Sequence, residues 1–151
     1  MKIVIYTLLV VIGLMTTNAV AAQEGSLVVI VNKDNTAVTE MSSGQIKLYF
    51  LKKIKIRWPK IHQAIKPVDH EYLTPTRKLF YSKVLRMSPE DVGQYYVSRQ
   101  ISNAIKPPQK VISEQDVIDF VMANVGAIGY VNREVYETNK NKVKMVLMVN
   151  E

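Results

Sequence analysis

The one acid–histidine cluster in the chain is Asp69-His70-Glu71, and the only other histidine is His62. A carboxylate beside an imidazole can orient it as a general base. No nucleophile accompanies this tripeptide, however: the sequence has no Cys, no Gly-x-Ser-x-Gly elbow, no Gly-rich phosphate loop and no His-Glu-x-x-His. The two histidines are too far apart for a helical metal pair, and no cysteine supports them. The expectation is a protein without catalytic residues, metal or cofactor. A few residues on, Thr74-Pro75-Thr76-Arg77 offers a different chemistry. Thr74 fits a helix N-cap and Pro75 the first helical position. Read locally this is a capped helix. The same N-terminus points backbone N–H groups outward, with the hydroxyls of Thr74 and Thr76 and the charge of Arg77 beside them, and that combination can hold an anion.

The elements that must position this loop follow from periodicity and punctuation. Residues 26–31, Ser-Leu-Val-Val-Ile-Val, predict a buried strand, closed by the turn cluster Asn32-Lys33-Asp34-Asn35. Ser42 or Ser43 can cap a short helix with Ile46, Tyr49 and Phe50 inward. Residues 64–68 predict a second strand, with Pro67 implying an edge or a strand end. The Thr74 helix carries Phe80, Val84 and Met87 on one side. Ser88-Pro89-Glu90-Asp91 starts another helix, with acids where the helix dipole favours them. Its stripe of Val92, Tyr95, Tyr96 and Arg99 reads as core before it reads as a binding surface. Ser113 caps a further helix, with Asp116 three residues on, Val117, Phe120 and Val121 inward, and Gly126 as the expected stop. Residues 127–131 and 144–149 predict the last two strands. The order β-α-β-α-α-α-β-β gives an α/β fold, a small mixed sheet flanked by helices.

Lys2, the apolar run 3–15 and the small residues Ala19-Val20-Ala21-Ala22 have the form of a secretory signal peptide. The run is shorter than the about 20 residues of a membrane-spanning helix. We therefore expect a signal peptide at 1–22 and one domain at 23–151, exported to the periplasm and not integral to the membrane after cleavage. The domain of 151 − 22 = 129 residues is long enough to bury its own core, and without Cys it is held by packing alone. The formal charge is +7. The densest basic stretch, Lys52, Lys53, Lys55, Arg57 and Lys60, reads as a solvated face, and export removes cytoplasmic nucleic acid as a partner.

Three segments in order carry a resemblance. Ile46-Lys47-Leu48-Tyr49-Phe50-Leu51-Lys52-Lys53 with Trp58-Pro59 resembles the I-x-x-I-F-L-G-K…W segment of phosphate ABC transporter substrate-binding proteins. Val31-Asn32 resembles their Asn-Pro strand end, with Lys33 for Pro. Gly126-Ala127-Ile128-Gly129-Tyr130-Val131 resembles their P-G-A-I-G-Y return strand, with Val125 for the first Pro. The resemblance spans 28–131 and implies a single lobe of a type II periplasmic-binding-protein-like fold. It also implies a phosphate or small-oxyanion site. Against the family's Arg-x-x-x-Ser-Gly-Thr loop, His70 takes the Arg position, and Thr74, Pro75 and Thr76 take Ser, Gly and Thr. The implied ligand-binding set is His70, Thr74, Thr76 and Arg77. Pro75 removes an N–H donor, His70 is a weaker cation than Arg, and a second lobe is missing. Weak binding in an accessory or sensing role is expected, no tighter than roughly micromolar to millimolar. The rival expectation is an interaction module that has lost ligand binding, its missing-lobe face covered by another protein or a second copy.

Overall fold

The computed structural model describes residues 25–53 and 57–151. The expected signal segment 1–22, and Lys55 of the basic stretch, lie outside them. Five strands form one sheet: β1 (Ser26–Asn32), β2 (Lys66–His70), β3 (Gln109–Val111), β4 (Ala127–Asn132) and β5 (Val143–Asn150), in the order β3-β2-β4-β1-β5. β2 runs parallel to β3 and β4, whereas β1 is antiparallel to β4 and β5. All four expected strands share this mixed sheet.

β1 sets the layers. Its residues are buried on both faces, so alternate side chains enter two different cores. Leu27, Val29 and Val31 meet α1 (Ser43–Phe50), α2 (Pro75–Phe80) and α3 (Pro89–Asn103) through Ile46, Phe50, Phe80, Val92 and Tyr96. Val28 and Ile30 face the other way and meet α4 (Glu114–Ala123) through Val117, Ile118 and Val121, with α5 (Arg133–Asn139) alongside through Val135 and Tyr136. The tyrosine stripe of α3 packs into the core. Tyr96 is buried and its hydroxyl donates to the Phe50 carbonyl, while the Tyr95 hydroxyl donates to the Leu51 carbonyl at 2.7 Å.

The expected caps form. The hydroxyls of Ser42, Thr74, Ser88 and Ser113 accept from backbone N–H groups three residues on, and Ser42 with Gln45 and Ser113 with Asp116 complete capping boxes. Two expectations are corrected, the start of the second strand and the role of Gly126. The second strand starts at Lys66, not residue 64, because Ala64 instead bridges Arg57 outside the named strands. Pro67 does lie at a strand end, as the second residue of β2, at a point where β3 does not reach: β3 pairs only with Val68, Asp69 and His70. Pro67 therefore has one neighbouring strand, the condition a missing N–H requires.

Gly126 does not stop α4, which ends at Ala123 with Asn124 as its cap, and no glycine has positive φ among the described residues. Its reason is close approach: a Cβ would overlap the Ala64 carbonyl oxygen and lie 3.1 Å from the carbonyl carbon. Gly129 is needed for the same kind of reason, since a Cβ would sit 2.7 Å from both Val117 and Val68 methyls, between α4 and the sheet. Gly126→Ala is expected to destabilise the domain by about 2–3 kcal/mol, because the obstruction is backbone and cannot rotate away. Urea unfolding checks it; an unchanged midpoint would show that the 63–65 segment shifts freely.

Candidate functional site

β2 and β3 are parallel and end side by side, with the Glu71 N–H donating to the Val111 carbonyl at 2.7 Å. In open α/β sheets the carboxyl ends of parallel strands are where ligands bind. Two hollows flank this end. The larger, a cleft of about 600 Å³, is lined by Thr74, Pro75, Thr76, Glu114, Asn132 and Glu134, among others. The smaller, a groove of about 280 Å³, lies toward α3 and has Arg77, Tyr81, Tyr96 and Lys110 in its walls.

Asp69, 3% exposed at the penultimate position of β2, lies behind the groove, bonded to three of its lining residues. One carboxylate oxygen accepts from the His70 N–H at 2.8 Å and from the Tyr130 hydroxyl. The other accepts from the Tyr81 hydroxyl at 2.6 Å, from Lys110 Nζ, and from Arg77 Nη2 at 3.4 Å. Burial alone would raise the Asp69 carboxyl. The Lys110 charge and hydrogen bond, with the Tyr130 and Tyr81 hydroxyls, outweigh it and hold the carboxyl below its ordinary value. Burial, then the Asp69 charge, push the Tyr81 and Tyr130 hydroxyls upward, so both stay protonated donors. Tyr81 owes its place to a π-helical turn, Tyr81–Leu85, that continues α2.

The four expected ligand residues divide among three environments. Thr74 and Thr76 are brought together on the cleft. Arg77 lines the groove instead, its guanidinium bonded to Tyr81 Oη, the Glu71 carbonyl and Asp69. His70 lines neither hollow. It is 1% exposed, its ring lies tilted at 34° against Tyr130 with centroids 4.7 Å apart, and its Nε2 lies 3.0 Å from the Tyr130 carbonyl. Thr74 is committed as a cap, accepting from the Arg77 N–H at 3.2 Å.

Thr76 has a partner that sequence reasoning missed. Its hydroxyl donates to Glu114 Oε1 at 2.6 Å, while Glu114 Oε2 accepts from the Asn132 N–H at 2.6 Å. A carboxylate thus fills both donors at the floor of the cleft. The signal available in sequence was its place in the first turn of a well-capped helix. What it touches lies 38 and 18 residues away along the chain. Beside the cleft, Tyr72 and Leu73 after β2 and Ile112 after β3 are 61%, 45% and 68% exposed. Among the described residues no group of acids and histidines is arranged to hold a metal, and no helix is long and apolar enough to cross a membrane.

No protein-family model and no curated protein matches the chain in sequence. Its fold is that of phosphate ABC transporter substrate-binding proteins. A protein from Clostridium perfringens solved with bound phosphate superposes at a TM-score of 0.61 with 21% identity, over 81% of this chain and 44% of that one. An ABC-type phosphate transport receptor from Vibrio cholerae matches at 0.60 and 21%, over 81% and 45%. PstS from Borrelia burgdorferi matches at 0.61 and 11%, over 81% and 46%. The chain therefore spans less than half the length of these proteins, and its mixed sheet corresponds to one part of their architecture.

Proposed function

We propose that this chain is an exported single-lobe binding module on the phosphate-binding-protein plan, which engages a protein partner through the carboxyl ends of β2 and β3 and performs no reaction itself. The observation that carries the reading is the double bond of Glu114. The donors best placed for an oxyanion, Thr76 Oγ1 and the Asn132 N–H, already hold a carboxylate of the chain. Glu134 and Glu151 add negative charge to the same lining, against Arg133 alone. A phosphate dianion there would face like charge. The exposed Tyr72, Leu73 and Ile112 suit an apolar partner segment instead, and the acidic cleft suits a cation carried on it.

Export to the periplasm rests on Lys2, the apolar run 3–15 and the small residues 19–22. Mass spectrometry of periplasmic material is expected to find a mature N-terminus at Ala22 or Gln23; recovery of intact Met1 in membranes would count against it.

A second reading keeps phosphate or another small oxyanion as a weak ligand. It is favoured by the joint placement of Thr74 and Thr76 on the cleft and by the phosphate bound in the Clostridium perfringens neighbour. Calorimetric titration of the mature protein with phosphate separates the two readings. The first expects no saturable heat below roughly 10 mM. Saturation in the micromolar range would replace it with the second. A photo-crosslinker at Ile112 in the exporting cell is expected to give one discrete heavier adduct, abolished by Tyr72→Asp and Glu134→Lys. An adduct of twice the chain mass would identify the partner as a second copy, and absence of any adduct would overturn the docking reading.

A further inference from the structure

The groove on the α3 side carries chemistry that the cleft does not. Arg77 and Lys110 enter it with side chains 16% and 32% exposed, and the single carboxylate between them is Asp69, 4% exposed in its side chain. Two cations against one anion leave an excess of one positive charge at the groove floor. The hydrogen-bond count agrees. A guanidinium has five N–H donors; Arg77 directs Nε to Tyr81, Nη1 to the Glu71 carbonyl, and Nη2 to Asp69 and Tyr81, leaving one on Nη1. Of the three donors on Lys110 Nζ, one meets Asp69 and one reaches the His70 carbonyl at 3.4 Å, leaving one.

The walls above are apolar. Val92, Val97, Pro89 and Pro107 line them with the ring of Tyr96, and Gln100 adds an uncharged polar side chain. The volume of about 280 Å³ is near the lower end of small-ligand sites. Both cations are anchored, since Arg77 lies over the Tyr81 ring at 4.9 Å as well as on Asp69, so their geometry exists before any ligand arrives.

We infer that this groove is a binding site for a small monocarboxylate with a short apolar body, its carboxylate on the spare donors of Arg77 and Lys110 and its hydrocarbon against Val92, Val97 and the Tyr96 ring. A monoanion matches the one excess charge, and two donors match the two oxygens of a carboxylate. The inference is independent of what occupies the Thr76 cleft, because the two hollows share no lining residue.

Hexanoate is the probe, with hexan-1-ol and hexylammonium as isosteric controls, read by NMR shift perturbation and calorimetry on the mature protein. Hexanoate is expected to saturate in the millimolar range or below, with shifts at the Val92 and Val97 methyls and the Gln100 amide, and both controls are expected to bind at least about tenfold more weakly. Lys110→Met is expected to abolish the preference for the carboxylate. Since that change also touches Asp69, Val97→Asp serves as the second variant: it places a negative charge at the groove mouth on an exposed helical position, leaves the Asp69 network intact, and is expected to weaken hexanoate by tenfold or more. Equal binding of hexanoate and hexan-1-ol, shifts centred on Thr74 and Thr76, or unaltered binding by a folded Val97→Asp protein would each overturn the site.

Discussion

Asp69→Asn is expected to destabilise the domain by about 3 kcal/mol at neutral pH, and to lower the thermal midpoint by about 10 °C. The substitution keeps the shape of the side chain but removes the one negative charge shared by Arg77 and Lys110, and it turns an acceptor facing several donors into an amide that must present donors of its own. Lys110 is about one-third exposed and recovers part of its hydration, which keeps the effect at the lower end of the range for breaking a buried pair. The pH dependence has a definite sign. The folded carboxyl lies below its ordinary value, so its contribution is fully present above the unfolded value of about 3.9 and is lost as pH falls through the folded one. Wild-type stability is therefore expected to fall below about pH 4, and the Asn variant to show a shallower acid limb. Urea titrations of both proteins from pH 3 to 7 check this; a difference under about 1 kcal/mol at pH 7 would mean that Tyr81 and Tyr130 alone hold this end of the sheet.

The fate of that network shows where sequence reading succeeds and stops. Helix starts were legible because each cap is local: Thr74 and Ser88 lie directly before Pro75 and Pro89, and Ser113 lies three residues before Asp116. β1 was legible because its apolar run needs no partner to be recognised. β3 was not, since Gln109–Val111 is too short for a period and is a strand only because β2 lies beside it. α5 escaped for a related reason: Arg133–Asn139 is under two full turns, buries only Asn139 fully, and is announced by Asn132, which as the last residue of β4 reads as a turn.

The hydroxyls of Thr74 and Thr76 were found because their types and spacing carry the signal. Their neighbours were not. Lys110 lies 41 residues from Asp69 and Glu114 lies 38 from Thr76, and only the parallel crossover through α3 brings them together. The resemblance placed His70 beside the cleft by position in a motif. Tertiary packing decides otherwise: the His70 ring lies against the Tyr130 ring, whose hydroxyl donates to Asp69, so the imidazole is spent inside the protein. The motif assigned a location along the chain, and contacts with a strand 60 residues away decided the direction.

Glu114 offers the most direct test of whether the cleft is closed to anions by its own chain. Glu114→Ala removes the carboxylate from Thr76 Oγ1 and from the Asn132 N–H, leaving a hydroxyl and a backbone donor facing a cleft of about 600 Å³. The capping box of α4 is untouched, because it is made by Ser113 and Asp116, so the helix should persist, with a stability change within about 1 kcal/mol from the lost hydrogen bonds. Two released donors and the removal of one like charge together favour an incoming phosphate by about 1.5–3 kcal/mol, which is about 10- to 100-fold in affinity. Glu114→Gln separates the contributions: its amide oxygen can still accept from one donor, so it relieves the charge without emptying the floor, and a smaller gain is expected. Sulfate should follow phosphate, since Glu114→Ala removes the carboxylate that would accept a phosphate proton at these two donors. The measurement is calorimetric titration of wild type and both variants at one ionic strength, because surface charge is screened by salt. Saturable phosphate binding in Glu114→Ala, weaker in Glu114→Gln and absent in wild type, is the expected order. Identical titrations for all three proteins would show that Glu134, Glu151 and the ring at Pro75, not Glu114, keep anions out.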